Sequence, residues 1–269
     1  IGEYTAIIDT FNSINGPIPT YLYVRPSDTA KAKASFVNLL PILSEYENYF
    51  GPYQWERIGY VGIPFNGGAM EHTTNIAYPF FAINGNLSYE ALMAHELSHQ
   101  WFGNMVTCAS AEDMWINEGW ATYCESLYQK GIYGEDAYRS HFRNHHKNVL
   151  QFTHIKDNGY RALHGVPHDY TYGSTSYDKG ASVVHTLKGH LGDSLFNETV
   201  KANMSQNAFD TISSAGLRDF ISNYTGINMD GFFGAWVFSP GFPHFSVDSF
   251  KVTPDGTEYD VHVFMKQKY

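Results

Sequence analysis

The spacing of apolar residues predicts sheet near the start of the chain, helix through its middle and strands at its end. Tyr21–Val24 alternates as a strand does, and residues 57–64 predict a second strand before the turn at Asn66-Gly67-Gly68. Between them, residues 27–49 have apolar positions near helical spacing, and Pro41 is expected to kink this helix.

Helical spacing then dominates the sequence. The predicted helices cover residues 88–102, 112–130, 135–152, 174–191, 194–204 and 212–224. After the Gly- and Pro-containing cluster at 239–243, residues 245–252 and 259–264 alternate as two strands. We therefore predict an α+β domain over residues 1–238, followed by the first strands of a truncated β-sandwich over 239–269.

One short segment, His95-Glu96-Leu97-Ser98-His99, carries chemistry that the apolar pattern does not reveal. Residues four apart on a helix lie one turn above each other, so His95 and His99 can hold one metal ion from the same face. Glu96 is turned by about 100° from His95, which suits a general base acting on water beside the metal. The segment predicts a zinc hydrolase.

A third metal ligand is expected from the predicted helix that follows. Catalytic zinc sites commonly have three protein ligands and one open position. Glu118 and Glu125 lie two turns apart on the face of that helix. Either carboxylate could bind the metal while the other orients a ligating histidine from behind.

Two other histidine pairs have the same spacing and show that spacing alone is weak evidence. His141 and His145 lack a glutamate between them and have charged and polar neighbours, which favours a solvated helix face. His164 and His168 flank a Gly-x-Pro sequence, which argues against a helix.

The residues around the metal motif closely resemble the gluzincin aminopeptidases, the aminopeptidase N-like M1 family. The chain reads His-Glu-Leu-Ser-His-Gln-Trp-Phe-Gly-Asn over 95–104 and Trp-Ile-Asn-Glu-Gly over 115–119. Residues 100–117 separate the second histidine from Glu118, which is the spacing that the family has.

Two more signatures of that family occur in the expected order. Residues 67–72, Gly-Gly-Ala-Met-Glu-His, are similar to the Gly-Ala-Met-Glu-Asn exopeptidase motif, and residues 177–180 are similar to the Tyr-x-Lys-Gly segment. The resemblance extends from about residue 15 to about residue 245. It implies a thermolysin-like catalytic domain with a small mixed β-sheet lobe and a mainly α-helical lobe.

The resemblance also implies roles at the metal. The two motif histidines and Glu118 would bind one Zn²⁺ per chain, which leaves Glu125 to orient a ligand or to form a helix-surface salt bridge. Glu96 would be the general base. Tyr177 would donate a hydrogen bond to the carbonyl oxygen under attack. The implied activity is that of an aminopeptidase, which removes the first residue of a peptide.

Substrate binding is implied for the exopeptidase motif. Glu71 would hold the free α-ammonium of the peptide, and Gly68, Ala69, Met70 and His72 would line it. His72 departs from the family, which usually has asparagine there. It either donates a hydrogen bond to the substrate and makes binding sensitive to pH, or packs against the turn without a substrate role.

Composition limits the other function classes. Lys and Arg number 17 against 27 Asp and Glu, for a formal net charge of −10, which disfavours a nucleic-acid partner. No apolar run is long enough for a transmembrane segment. Cys108 and Cys124 lack metal-ligand spacing; two such cysteines can form a disulfide, but ordinary thiols are the expectation here. The composition leans weakly towards an exported, periplasmic or secreted enzyme.

The chain begins at Ile1 inside a strand-like segment, so we interpret it as a piece of a longer protein without that protein's N-terminal and C-terminal domains. Three rival functions stay open. A thermolysin-type endopeptidase would share the metal helix but has no need of Glu71. An epoxide hydrolase is known in one branch of the family. A catalytically silent scaffold would be expected to lose metal ligands, and all of them are present.

Overall fold

The computed structural model of the protein describes residues 2–268, which form a sheet lobe, a helical lobe and a C-terminal ribbon. The sheet contains β1 (Thr5–Ser13), β2 (Gly16–Val24), β3 (Ile58–Ile63) and β4 (Ile76–Pro79) in that order. β1 and β2 are antiparallel, whereas β2, β3 and β4 run parallel, so the sheet is mixed. Gly16, at φ 116°, closes the first hairpin in a conformation that glycine readily adopts.

The helical lobe is built from ten helices within the described residues. They are α1 (Thr29–Ser35), α2 (Leu39–Phe50), α3 (Glu90–Ser98), α4 (Trp115–Tyr133), α5 (Glu135–Asn148), α6 (His154–Lys156), α7 (Gly180–Leu191), α8 (Asp193–Gln206), α9 (Ser214–Thr225) and α10 (Asp230–Trp236). A π-helical stretch, Val149–Thr153, continues α5, and another, Thr175–Lys179, leads into α7. Two short strands, β5 (Val106–Cys108) and β6 (Asp210–Ile212), pair in parallel.

The sequence predicted most of these elements but misjudged several boundaries. The helix expected over 27–49 divides between α1 and α2, and the expected kink at Pro41 is wrong. Pro41 lies in the first turn of α2, where its missing N–H has no helical partner to lose. The metal-motif helix ends at Ser98 rather than 102, because the chain tightens there: the N–H groups of Gln100 and Trp101 donate to carbonyl oxygens only three residues back. Strand β1 lies where the sequence indicates a strand-like segment at the start of the chain, whereas strands β4, β5 and β6 and helices α6 and α10 are not predicted by the sequence.

Buried tyrosines attach α3 to its neighbours. The Tyr46 hydroxyl lies 2.8 Å from the carbonyl oxygen of Cys124 on α4 and 3.2 Å from that of Ala94 on α3. From the sheet, the Tyr60 hydroxyl donates to the carbonyl oxygen of Met93 at 2.8 Å. Both rings are fully buried, so each contributes apolar contact together with a directed hydrogen bond. These bonds hold the metal-motif helix at a fixed position against α4 and the sheet.

Two glycines bring α4 and α7 into direct backbone contact. A Cβ placed on Gly180 would lie 2.8 Å from the Cα of Gly119, and one on Gly119 would lie 2.9 Å from the carbonyl oxygen of Ser176. Side chains at either position would push the helices apart. Because Gly119 follows Glu118 and Gly180 ends the Tyr-x-Lys-Gly segment, this crossing brings two predicted site segments together.

The chain ends in an antiparallel ribbon formed by β7 (His244–Asp255) and β8 (Glu258–Lys268), which confirms the two strands predicted there. Apolar side chains along the ribbon, among them Phe250 and Val261, are exposed. The boundary at residue 238 and the β-sandwich assignment stay predictions. No helix within residues 2–268 combines the length and apolar character needed to cross a membrane.

Candidate active site

Three side chains from α3 and α4 form a triangle of potential metal ligands. The Nε2 atoms of His95 and His99 lie 3.2 Å apart, and each lies 3.3 Å from Oε2 of Glu118. A tetrahedral zinc ion with bonds of about 2.0–2.1 Å would hold its ligand atoms about 3.3 Å apart. The triangle therefore has the dimensions of a zinc site, and all three residues are buried.

The opposite nitrogen of each imidazole has a hydrogen-bond acceptor. Nδ1 of His95 lies 2.9 Å from Oε1 of Glu125, and Nδ1 of His99 lies 2.8 Å from the carbonyl oxygen of Phe102. When each Nδ1 donates its proton, Nε2 presents a lone pair towards Glu118. The protein thus selects the ring tautomer that a metal ion requires.

The charges of the triangle also favour a cation. Burial lowers the pKa of His95, but hydrogen bonds with Glu118 and Glu125 outweigh it and raise the pKa well above its ordinary value. The pKa of His99 is raised in the same way by Glu118. Burial raises the pKa of Glu118, yet the two histidines lower it far below the usual range. Positive charge among these groups is favoured, and a divalent ion supplies it.

Glu96 lies beside the triangle as a buried carboxyl group. Burial raises its pKa to about 7, against the lowering effect of His95 and His99. Its Oε2 atom has no hydrogen-bond partner among the described residues. A group with a pKa near neutrality and a free oxygen can accept and return a proton.

The exopeptidase motif approaches from the edge of the sheet. Met70 pairs with Ala77 of β4 through two backbone hydrogen bonds of 2.8 and 3.0 Å, which holds the next residue, Glu71, near α3. One oxygen of Glu71, one oxygen of Glu96 and a ring nitrogen of His99 lie within 4.8 Å of one another. The sequence-predicted acid therefore does come next to the metal triangle.

The remainder of the motif forms a loop and turn that are partly exposed. Gly68 has a φ of 115°, which favours glycine at this position, and Ala69 is half-buried. His72 is exposed, and its carbonyl oxygen accepts a bond of 2.9 Å from the N–H of Asn75. The side chain of His72 makes no hydrogen bond with the described residues, and its role towards a substrate stays a prediction.

Tyr177 reaches the site from the π-helical stretch before α7. Its ring stacks on that of His95 with centroids 6.0 Å apart and an angle of 10° between planes. Burial, followed by the charge of Glu118 and a hydrogen bond with it, raises the pKa of Tyr177. The hydroxyl is therefore protonated over the physiological range and can donate.

Three residues that the sequence did not single out support the site. Gln100 and Asn104 donate side-chain hydrogen bonds to the carbonyl oxygen of Glu71. Asp157 is buried and accepts bonds from the N–H groups of Ser174 and Thr175, at the start of the stretch that carries Tyr177. Gln100 and Asn104 lie within the family-like segment 95–104, whereas no sequence pattern around Asp157 indicates its role.

The other two histidine pairs, His141 with His145 and His164 with His168, belong to no group of three potential metal ligands in the part of the chain described. The solvated face predicted for His141 and His145 is partly wrong. His145 is buried and donates from Nε2 to the carbonyl oxygen of Asp178 at 2.7 Å, while Nδ1 of His141 pairs with the Ser126 hydroxyl. Both cysteines are free thiols, as predicted.

Comparison with known proteins identifies the fold and the family. The profile of the Peptidase family M1 domain matches residues 36–236. The chain belongs to peptidase family M1. It is 30% identical over 244 residues to "Probable aminopeptidase 1" of Sulfurisphaera tokodaii, an alignment that covers 81% of this chain and 29% of that protein. It is 28% identical to "Aminopeptidase B" of Rattus norvegicus, over 88% of this chain and 42% of that protein.

Solved structures share the fold of this M1 domain and confirm the α+β class. Aminopeptidase A of Legionella pneumophila, in complex with aspartic acid, superposes with a TM-score of 0.81 at 20% identity, covering 98% of this chain and 31% of that one. The M1 zinc metallopeptidase of Deinococcus radiodurans has a TM-score of 0.75 at 22% identity, covering 87% and 51%. The M1 chain described here thus spans 29–33% of the first three curated relatives that it matches.

Proposed function

We propose that this M1 domain is the catalytic part of a zinc aminopeptidase that removes the N-terminal residue of peptides. The observation that carries the proposal is the position of Glu71 within 4.8 Å of Glu96 and His99. In a peptide, the first carbonyl carbon lies about 2.5 Å from the amino nitrogen, and the next one lies roughly 3.5 Å further along an extended chain. An ammonium group bound at Glu71 therefore brings the first peptide bond to Glu96.

We propose one Zn²⁺ per chain, bound by His95, His99 and Glu118. The second group of potential ligands, Glu71 with Glu96, needs His99 as well, so the two groups compete for one imidazole. When bound, zinc supplies a Lewis acid that increases the acidity of water and polarises the carbonyl group. The solved structures that share this fold include an M1 zinc metallopeptidase from Deinococcus radiodurans, which agrees with this ion.

Two side chains handle protons in the proposed reaction. Glu96 accepts a proton from the attacking water and returns it to the leaving amine, and its raised pKa suits both transfers. The Tyr177 hydroxyl donates to the carbonyl oxygen as negative charge develops there. The Tyr177 ring lies nearly parallel to that of His95, with centroids 6.0 Å apart, which supports a role for the hydroxyl beside the metal ligands.

The substrate is held by charge and by backbone. Glu71 binds the α-ammonium group through a charge-assisted bond, which contributes about 1.5–3 kcal/mol. The backbone groups of Met70 bond to Ala77, whereas the N–H and carbonyl groups of Ala69 make no backbone hydrogen bond within residues 2–268 and are available to an extended peptide. Gly68 allows close approach to that edge.

The rival functions differ in which compounds they cleave and in whether cleavage requires a free amine. An aminopeptidase cleaves leucine 4-nitroanilide and leaves its N-acetyl form intact, whereas an endopeptidase does not depend on the amine. An epoxide hydrolase would open an epoxide and need no peptide at all. A silent scaffold would cleave none of these compounds.

The test uses the whole protein that contains this sequence. We expect about one zinc per chain by mass spectrometry, loss of activity with a chelator, and recovery on adding zinc. Glu96→Gln should retain zinc and lose turnover, because the amide cannot accept the proton. Full activity in Glu96→Gln, or equal cleavage of the acetylated and free substrates, would contradict the proposal.

A further inference from the structure

A buried glutamine connects the metal motif to the turn that carries Glu71. Gln100 is 1% exposed and follows His99 directly. Its Nε2 donates to the carbonyl oxygen of Glu71 at 3.3 Å, and its Oε1 accepts from the N–H of Thr74 at 3.2 Å. The oxygen and the nitrogen of one side-chain amide therefore both bond to the turn formed by residues 71–74.

A second amide reaches the same carbonyl group. Nδ2 of Asn104 donates to the oxygen of Glu71 at 2.8 Å. The backbone N–H of Asn104 donates to the carbonyl oxygen of His99 at 2.9 Å, so this residue is itself attached to a metal-ligand position. The carbonyl oxygen of Gln100 accepts from Trp55 Nε1 at 3.1 Å, which fixes the glutamine from the other side.

The turn needs such support, because its backbone is strained. Thr74 has a φ of 62°, a conformation that is unfavourable for a β-branched residue. Besides its bond to Gln100, Thr74 accepts a bond of 3.4 Å from Nε of Arg57 through its hydroxyl. Its carbonyl oxygen lies so close to Gly59 that an added Cβ there would be 2.4 Å away. The surrounding contacts thus determine this conformation.

We propose that Gln100 and Asn104 are positioning residues that set the distance between Glu71 and the metal ligands, and so determine how strongly the enzyme selects a free amine. The inference rests on the proposed function of Glu71. The two amides fix the peptide plane after Glu71, and with it the Cα atom from which the carboxylate extends. A displacement of about 1 Å is enough to impair a bound geometry of this kind.

A purely structural role predicts a different result. Weakening the fold would reduce the binding of every ligand equally. A positioning role acts through Glu71, so it affects only ligands with an amine. The effect must also disappear once the Glu71 carboxylate has been removed, because no charge is left to be positioned.

The experiment measures amine selectivity as a ratio of inhibition constants. The probes are leucine hydroxamate and 4-methylpentanohydroxamate, which differ only in the amine and share the metal-binding group. We expect the wild-type ratio to fall about tenfold in Gln100→Met, which keeps side-chain length without a donor or acceptor. Gln206→Met, at an exposed position on α8, should leave the ratio unchanged.

A double-mutant cycle separates this inference from the function on which it rests. In Glu71→Ala the ratio should approach one, and adding Gln100→Met should cause no further change. An unchanged ratio in Gln100→Met, with a loss in Glu71→Ala, would overturn the positioning role alone. A wild type without any preference for the amine would overturn the proposed function as well.

Asn104→Asp provides the second variant, because it keeps the shape of the side chain and removes the donor to Glu71. It decides the question if Gln100→Met does not fold, as judged by circular dichroism. A fall in the ratio with bound zinc unchanged supports the positioning role, whereas a wild-type ratio contradicts it.

Discussion

His95 lies between two carboxylates of one helix, with Nδ1 2.9 Å from Oε1 of Glu125 and Nε2 3.3 Å from Oε2 of Glu118. The two glutamates are two turns apart on α4, so a single helix supplies both the expected metal ligand and the hydrogen-bond acceptor on the other side of His95. Glu125 accepts a hydrogen bond from Nδ1–H of His95, which keeps the proton on that nitrogen and raises the basicity of Nε2 towards a metal ion.

We predict that Glu125→Ala weakens zinc binding about 10–100-fold, because His95 loses the acceptor that fixes its tautomer and orientation. Competition with a chromophoric chelator measures the affinity. Glu112→Ala, at an exposed position before α4, is the matched control and should bind zinc as the wild type does. Equal zinc affinity in both variants would mean that Glu125 forms only a helix-surface ion pair and does not support the metal site.

Tyr177→Phe should lower kcat about 100–1000-fold and leave KM and bound zinc nearly unchanged. The reason is that a donor to the developing oxyanion acts in the transition state and not on the bound substrate. Steady-state kinetics with a free-amine substrate provide the measurement. Tyr172→Phe changes an exposed tyrosine five positions earlier and should have a much smaller effect on kcat.

Gly180→Ala should destabilise the protein by about 1–3 kcal/mol, because the new methyl group would lie 2.8 Å from the Cα of Gly119 and force α7 away from α4. Tyr177 lies three residues earlier, so kcat should fall too. Gly189→Ala is the control in the same helix: the added Cβ would have no described residue outside its own helix within 4 Å, and alanine should stabilise the helix slightly. Equal melting temperatures for the two variants would contradict the close contact.

The metal triangle could be predicted from the sequence because its geometry is mostly local. Two of its ligands are one helical turn apart, and the third was placed by a spacing that the family shares. The support of Glu71 could not be predicted, because the acceptor is a backbone carbonyl 29 and 33 residues away from Gln100 and Asn104. The prediction of a solvated face at His145 was wrong for the same reason, because the ring donates to the backbone carbonyl of Asp178, which is distant in sequence.

The last prediction concerns Lys179, the buried lysine of the Tyr-x-Lys-Gly segment. Its Nζ donates to the carbonyl oxygens of Arg161 at 2.9 Å and Ser239 at 3.2 Å, and no carboxylate pairs with it among the described residues. Burial lowers the pKa of Lys179 to about 8, from 10.5. Between these pH values the unfolded chain holds a proton that the folded protein has released.

Stability therefore rises with pH in this window, and the cost of burying the charge is largest below pH 8. Relative to Lys179→Met, the wild type should gain about 2–3 kcal/mol in free energy of unfolding between pH 7 and pH 10. Denaturant titrations at several pH values measure the difference. Lys201→Met, which removes an exposed lysine, should run parallel to the wild type. A parallel curve for Lys179→Met as well would mean that the buried ammonium keeps its charge, stabilised by its two carbonyl acceptors.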